Sequence, residues 1–233
     1  MIANVATDLL VAYYSTYSSH LVEIDPHVRN ETSETECLWI GSYFDLIRSL
    51  RSKPSVIVDL DANVFKSTEY PRSIFAVQAD IRSLPFKKIF GRVLIPGCVT
   101  AYLLKDRDVL SAAESIASVL NGSHETTLWL DAYDNASILD SGYFNQKCEV
   151  RLFENTWLVV SRYTKRNNHP FLFDVTLSFL QRGISGPPIT ITFQQRAFTV
   201  CELDNMFSQH GFKLKKHETQ QARGRHSLTF SAK

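Results

Sequence analysis

Between residues 56 and 133 the chain carries a succession of short apolar runs, Val56 to Leu60, Ile74 to Val77, Arg92 to Pro96 and Leu128 to Leu130, each bounded by polar or glycine-containing turns. None of them alternates polar with apolar residues. Strands of that kind are buried on both faces, which is the condition of strands in a parallel sheet. Two of the runs end in acidic residues, Asp59 and Asp61 after the first and Asp80 after the second.

The flanking segments extend the pattern. After the third run, Asp106 to Leu120 reads as a helix with Leu110, Ala113, Ile116, Ala117 and Leu120 on one face, stopped by Asn121-Gly122. Upstream, Val5 to Ser19 places Leu9, Leu10, Tyr13, Tyr14 and Tyr17 on one helical stripe. Asp25 to Thr35, polar and containing Pro26, reads as a loop; Glu36 to Ile40 is a short strand, and Tyr43 to Arg51 a helix with Phe44, Ile47 and Leu50 in phase. Downstream, Glu149 to Tyr163 and Phe171 to Leu180 read as long strands joined by a polar loop from Thr164 to Pro170, and Thr190 to Arg196 as a further alternating strand. Thr199 with Glu202 forms a capping box that opens a helix from Val200 to Gln209; Gly211 ends it, and Phe212 to Lys216 is a strand. The whole is α/β, a parallel portion followed by antiparallel strands.

Composition narrows the function classes. A chain of 233 residues with 44% hydrophobic and 21% charged residues is read as one domain, and a formal net charge of +1 lacks the positive excess that phosphate backbones reward, so no nucleic acid is expected as partner. No apolar run approaches the ~20 residues of a membrane span and the start carries no basic segment before its apolar residues, so a cytoplasmic location and no membrane partner are expected. Cys37, Cys98, Cys148 and Cys201 show neither a CxxC pair nor a histidine at ligand spacing, so no metal site and no disulfide framework are expected.

The order VIVDLDANVF, IFAVQADIRSLPF, RVLIPGCVTAYLL and TLWLDAY, closed by RAFTVCELDNMFSQHGFKL from Arg196 to Leu214, resembles the class I S-adenosylmethionine-dependent methyltransferases, notably the small-molecule N-methyltransferases. The resemblance implies a Rossmann-like fold: a mostly parallel central sheet with added antiparallel strands in the C-terminal half. It also implies one methyltransferase-like domain, with 1–35 as a helical lid, 36–148 as the cofactor-binding core and 149–233 as added strands and a closing helix-strand. The implied cofactor is S-adenosylmethionine. Asp59 would accept hydrogen bonds from the ribose hydroxyls at the carboxyl edge of the sheet, with Asp61 as the alternative two positions on, and Leu60 beside them. Asp80 and Ile81 would receive the adenine, Gly41 and Ser42 the methionine part, with Ile95 and Pro96 at the end of the fourth strand. Tyr14, Tyr17, Tyr102 and Arg162 are the implied catalytic residues, with Tyr13, Tyr133 and His169 also near the expected pocket.

The chain departs from the family pattern where the glycine-rich loop belongs. Leu38-Trp39-Ile40-Gly41-Ser42-Tyr43-Phe44-Asp45 keeps one glycine, and Trp39 stands where such proteins carry an acidic residue. Asp45 is a substitute carboxylate at the helix start. Three functions follow from this picture: methyl transfer to a small-molecule or peptide-like acceptor, an amine in a biosynthetic pathway; transfer or cyclisation of the 3-amino-3-carboxypropyl group, releasing methylthioadenosine; or a non-catalytic, partner-binding subunit whose cleft is filled by Trp39, Tyr43 and Phe44. The strands after Glu149 offer a surface for a homodimer or a partner protein.

Overall fold

The computed structural model describes residues 2–16, 26–30, 35–67, 70, 72–122, 126–141, 147–152, 154–220 and 223–232. Its elements, in chain order, are α1 (Ile2–Thr16), α2 (Pro26–Asn30), β1 (Glu36–Ile40), α3 (Phe44–Ile47), β2 (Val56–Asp59), α4 (Val64–Ser67), β3 (Phe75–Gln78), β4 (Phe90–Ile95), a 3₁₀ turn (Val99–Tyr102), α5 (Asp106–Val119), β5 (Thr127–Tyr133), β6 (Lys147–Leu152), β7 (Asn155–Asn168), β8 (Phe171–Gln181), β9 (Ile189–Ala197), α6 (Val200–Ser208), β10 (Phe212–Gln220) and β11 (Arg225–Ala232).

Seven strands form the central sheet in the order β10-β11-β5-β4-β1-β2-β3. The stretch from β5 to β3 is parallel, and β11 enters antiparallel against β5, with Leu228 opposite Leu130. Alternate residues of each buried strand serve two separate cores. From β1, Leu38 and Ile40 pack with α5 and α6, while Cys37 and Trp39 pack with Val28 of α2, Ile47 of α3 and Val64 of α4. Covering both faces explains why the runs carry no polar alternation.

Four further strands, β6-β7-β8-β9, make a separate antiparallel sheet. The chain leaves the central sheet at Asp134 and returns beside it, where the Phe198 N–H donates to the Tyr133 carbonyl at 2.8 Å and Asp134 bridges Phe198. The inner face of this second sheet, with Val159, Phe173, Val175, Leu177 and Phe179 buried, packs against Leu9 and Tyr13 of α1. The helix therefore roofs the region between the two sheets.

Several elements differ from the sequence reading. Residues 26–30, read as loop, form α2, and the helix expected over Tyr43 to Arg51 shortens to α3. The strand expected over Glu149 to Tyr163 is a hairpin of β6 and β7, and β7 runs through the stretch read as polar loop to Asn168. The buried face of α5 is Val109, Ala112, Ala113, Ile116 and Val119, rotated from the expected stripe. The final strand, β11, is an addition to the elements read from the sequence. The capping box at Thr199 and Glu202 is present, and its Glu202 also meets Arg196, a fully buried guanidinium that reaches Asp106 at the start of α5 at 2.6 Å.

An ion pair buried on both sides, unlike that of Arg196 with the exposed Asp106, fixes the edge where the cleft lies. Arg225 of β11 donates to Asp131 of β5 at 2.7 Å, both nearly inaccessible, and the other oxygen of Asp131 accepts from the Cys98 N–H at 2.8 Å. Removing one partner of such a pair leaves an uncompensated buried charge, which costs about 3–5 kcal/mol. Arg225→Met is expected to lower the unfolding free energy by about that amount in urea titration, with Asp131→Asn in the same chain recovering part of the loss.

Candidate functional site

The carboxyl ends of β1 to β5 converge on one cleft of about 400 Å³, closed from above by α1. That edge is where nucleotides sit in open α/β sheets. Of the residues singled out from the sequence, Tyr14, Gly41, Ser42, Asp59, Leu60, Asp80, Ile81 and Tyr102 line it, together with Asp61 and Tyr133. Ile95 and Pro96 do not; Ile95 is fully buried in the core beneath, and Pro96 lends its carbonyl to the packing around Gly41. Arg162 is also not among the lining residues. It is exposed, because along β7 the inward positions are Ser161 and Tyr163, so a period of two turns Arg162 outward. His169 is exposed in the turn between β7 and β8, and Tyr13 is buried in the α1 interface. Tyr17 and the side chain of Asp45 lie outside the described residues.

At the end of β1 the backbone turns through Gly41, whose φ is +110°. A Cβ there would stand 2.7 Å from Val99 Cγ2, so the position requires glycine on both counts. Gly97, at the end of β4, has φ +80°, and the Tyr43 ring lies where its Cβ would be. Trp39 takes no part in the cleft: it is fully buried beside α2 and α3, and its indole N–H donates to the Gly41 carbonyl at 3.0 Å. Trp39 thus holds the turn from below.

Asp59 closes β2 at the cleft, with the Asp61 N–H donating to its Oδ1 at 2.9 Å. Burial raises its pKa above the ordinary carboxylate value, outweighing that hydrogen bond. Leu60, next to it, is 66% exposed, an apolar side chain left open at the cleft. Asp80, beyond β3, is gripped by Arg82, whose Nη2 donates at 2.6 Å and whose backbone N–H donates at 2.9 Å. That hydrogen bonding holds the Asp80 carboxyl below the usual range. Arg82 lines the cleft as well and reaches Asp108 of α5 at 3.3 Å; the sequence reading missed it, although its position two residues after Asp80 was visible.

At the opposite end, below α1, the walls are aromatic. The Tyr14 and Tyr102 hydroxyls meet at 2.7 Å, joining the N-terminal helix to the 3₁₀ turn across the cleft. The Tyr102 ring packs on Phe193 of β9, with centroids 6.0 Å apart, and Tyr133 closes β5. The charged lining residues, Asp59, Asp61, Asp80 and Arg82, all lie on the β2 and β3 side. One half of the cleft is therefore charged and the other neutral and aromatic.

No protein-family model matches the sequence, and no curated protein matches it. Solved structures match over nearly its whole length. A S-adenosylmethionine-dependent methyltransferase from Clostridium acetobutylicum is 12% identical with a TM-score of 0.68, over 97% of this chain and 98% of that one. Streptomyces venezuelae DesVI is 15% identical with a TM-score of 0.66, over 96% and 92%. CalS10, an amino pentose methyltransferase from Micromonospora echinaspora solved with S-adenosylmethionine bound, is 15% identical with a TM-score of 0.64, over 86% and 84%. Such likeness defines a class by fold: this chain has the Rossmann-like fold of the class I S-adenosylmethionine-dependent methyltransferases.

The cleft has properties that test whether it takes a nucleoside. A carboxylate at a strand end beside an exposed leucine suits a ribose diol and the apolar face of a base. Because the folded chain raises the pKa of Asp59, its ionised form at neutral pH subtracts from stability, and that loss is regained as pH falls through the raised pKa. Ligand binding through the carboxylate should run the opposite way. Asp59→Asn is expected to melt no lower than the parent chain at neutral pH, while affinity for S-adenosylhomocysteine falls about tenfold or more. In the parent chain that affinity should decline on acidification with a midpoint above the ordinary aspartate value of about 3.9, and calorimetry across pH reads both effects.

Proposed function

We propose that the chain is a S-adenosylmethionine-dependent transferase that moves the methyl group to a small-molecule acceptor, an uncharged amine in a biosynthetic pathway. The observation that carries this reading is the cleft itself, where Asp59, Leu60 and Ile81 meet the Gly41 turn at the carboxyl edge of the sheet. The amino pentose acceptor of CalS10 and the sugar acceptor of the N-methyltransferase KedS8, with a TM-score of 0.65, support the choice of acceptor class.

When bound, the cofactor supplies a sulfonium whose methyl carbon is already activated, so the protein's task is alignment and exclusion of water. Asp59 would hold the ribose hydroxyls, Leu60 and Ile81 the adenine faces, and the Gly41-Ser42 turn the methionine part. Asp80 would be the acceptor for the adenine amino group, sharing its oxygens with Arg82. Tyr14 and Tyr102 would receive the acceptor between α1 and the 3₁₀ turn, their hydroxyls orienting its nitrogen so that the lone pair faces the methyl carbon. The bound cofactor would supply the methyl carbon, whose bond to sulfur would break as its bond to nitrogen formed, with S-adenosylhomocysteine as the leaving group. The proton left on nitrogen would pass to solvent, directly or relayed through the paired Tyr14 and Tyr102 hydroxyls, each giving up its own proton as it takes one. An acceptor amine must arrive neutral, and the uncharged end of the cleft favours that form.

The glycine-poor turn after β1 motivates a second product, in which the aminocarboxypropyl carbon faces the acceptor and methylthioadenosine leaves. Calorimetric titration with S-adenosylmethionine, S-adenosylhomocysteine and methylthioadenosine separates the readings. Binding of the first two in the micromolar range or tighter is expected, with methylthioadenosine at least about tenfold weaker. Preferred binding of methylthioadenosine would favour aminocarboxypropyl transfer, and binding of none would refute the transferase reading.

A further inference from the structure

One residue in the neutral half of the cleft breaks the rule that its strand otherwise obeys. Along β9, Ile189, Ile191, Phe193 and Ala197 all join the core between the antiparallel sheet and α1. The fourth position of that stripe, with the same period of two, is Gln195. It stands opposite Phe173, which is fully buried, and is itself only 2% exposed. Its side-chain oxygen has no hydrogen-bond partner among the described residues. An amide buried in an apolar stripe with an unmade hydrogen bond is destabilising, whereas an apolar residue of similar shape would suit the site better.

Gln195 also lines the cleft, as do Tyr14, Tyr102 and Tyr133; Phe193 on its own strand face packs on Tyr102, and Phe173 opposite it packs on Tyr133. We propose that Gln195 is an acceptor-recognition residue: its amide oxygen accepts a hydrogen bond from an N–H or O–H of the molecule that receives the transferred group. This rests on the transferase reading above. The chemistry it selects is specific. A buried neutral oxygen rewards an uncharged donor, and a site built around such an oxygen discriminates against analogues that lack the donor. With the Tyr14 and Tyr102 hydroxyls it would give the neutral end three polar atoms among aromatic walls, suited to an uncharged, hydroxyl- or amine-bearing acceptor.

The test compares the parent chain with Gln195→Met, which keeps length and removes the amide, and with Gln195→Leu as a second apolar variant. Each is titrated first with S-adenosylhomocysteine and then, as that complex, with D-glucosamine at about pH 9, where its amine is largely neutral, read by ligand-observed NMR. Expected are unchanged S-adenosylhomocysteine affinity, a melting temperature no lower than that of the parent chain, and glucosamine binding weakened about tenfold or more in both variants. Equal glucosamine binding by parent and variants, or none by the parent complex up to about 50 mM, would overturn the assignment of Gln195 while leaving the cofactor reading intact. A lowered melting temperature with glucosamine binding unchanged would make Gln195 structural and overturn it too. Loss of S-adenosylhomocysteine binding from the parent chain itself would instead remove the transferase reading and this inference with it.

Discussion

The geometry of the cleft depends on Asp131. This carboxylate at the end of β5 ties together the last strand, through Arg225, and the turn after β4, through the Cys98 N–H. Cys98 is held at φ +54°, a left-handed conformation that a side-chain-bearing residue adopts only under constraint. The constraint has a visible consequence. It starts the 3₁₀ turn that carries Tyr102 toward Tyr14, so the meeting of the two hydroxyls across the cleft follows from a buried ion pair one layer below. Arg225 adds a cationic contact over the Tyr133 ring at 5.4 Å, placing a third aromatic of the same wall. Buried charge here specifies position as much as stability.

How much of this was legible in the sequence depends on whether a residue's neighbours are close in the chain. The parallel strands announced themselves, since a strand covered on both faces needs apolar residues throughout, and Val56 to Val58 or Val93 to Ile95 supply them. The capping box at Thr199 was readable for the same reason: its partners are three residues apart. β11 was not, because its first residues, Arg225, His226 and Ser227, look like a surface segment. They are buried only because Asp131, Asp134 and Trp129 wait for them across the sheet. The β6–β7 hairpin is hard to read because the sequence between Leu152 and Asn155 contains neither glycine nor proline.

The candidate site divides along the same line. Asp59 and Asp80 were visible because each ends an apolar run at the sheet edge, where chain order and position agree. The outward turn of Arg162 is implicit in its strand's period of two, although its side-chain chemistry alone suits a site. Arg82 and Gln195 were hidden for different reasons. Arg82 matters through Asp80 and Asp108, a partner 26 residues away, and Gln195 stands out only once the stripe of β9 is seen to be buried.

Three features of the cleft work against the stability of the fold that holds them. Leu60 leaves an apolar side chain open to water, Asp59 keeps a carboxylate where burial disfavours its charge, and Gln195 buries an unsatisfied oxygen. They come from two strands in different sheets, Asp59 and Leu60 at the end of β2 and Gln195 in β9. What they share is the cleft. A scaffold retained only to bind a partner protein would gain by filling that space; of the cluster Trp39, Tyr43 and Phe44, Trp39 turns into the core to support the Gly41 turn, Tyr43 lines the cleft wall beside Gly97, and the side chain of Phe44 lies outside the described residues. Local penalties concentrated on one concave surface are the pattern expected when the surface is shaped for a ligand that satisfies them. The distribution of these penalties, charged toward β2 and neutral toward β9, is what a molecule pairing a nucleoside with an uncharged acceptor would require.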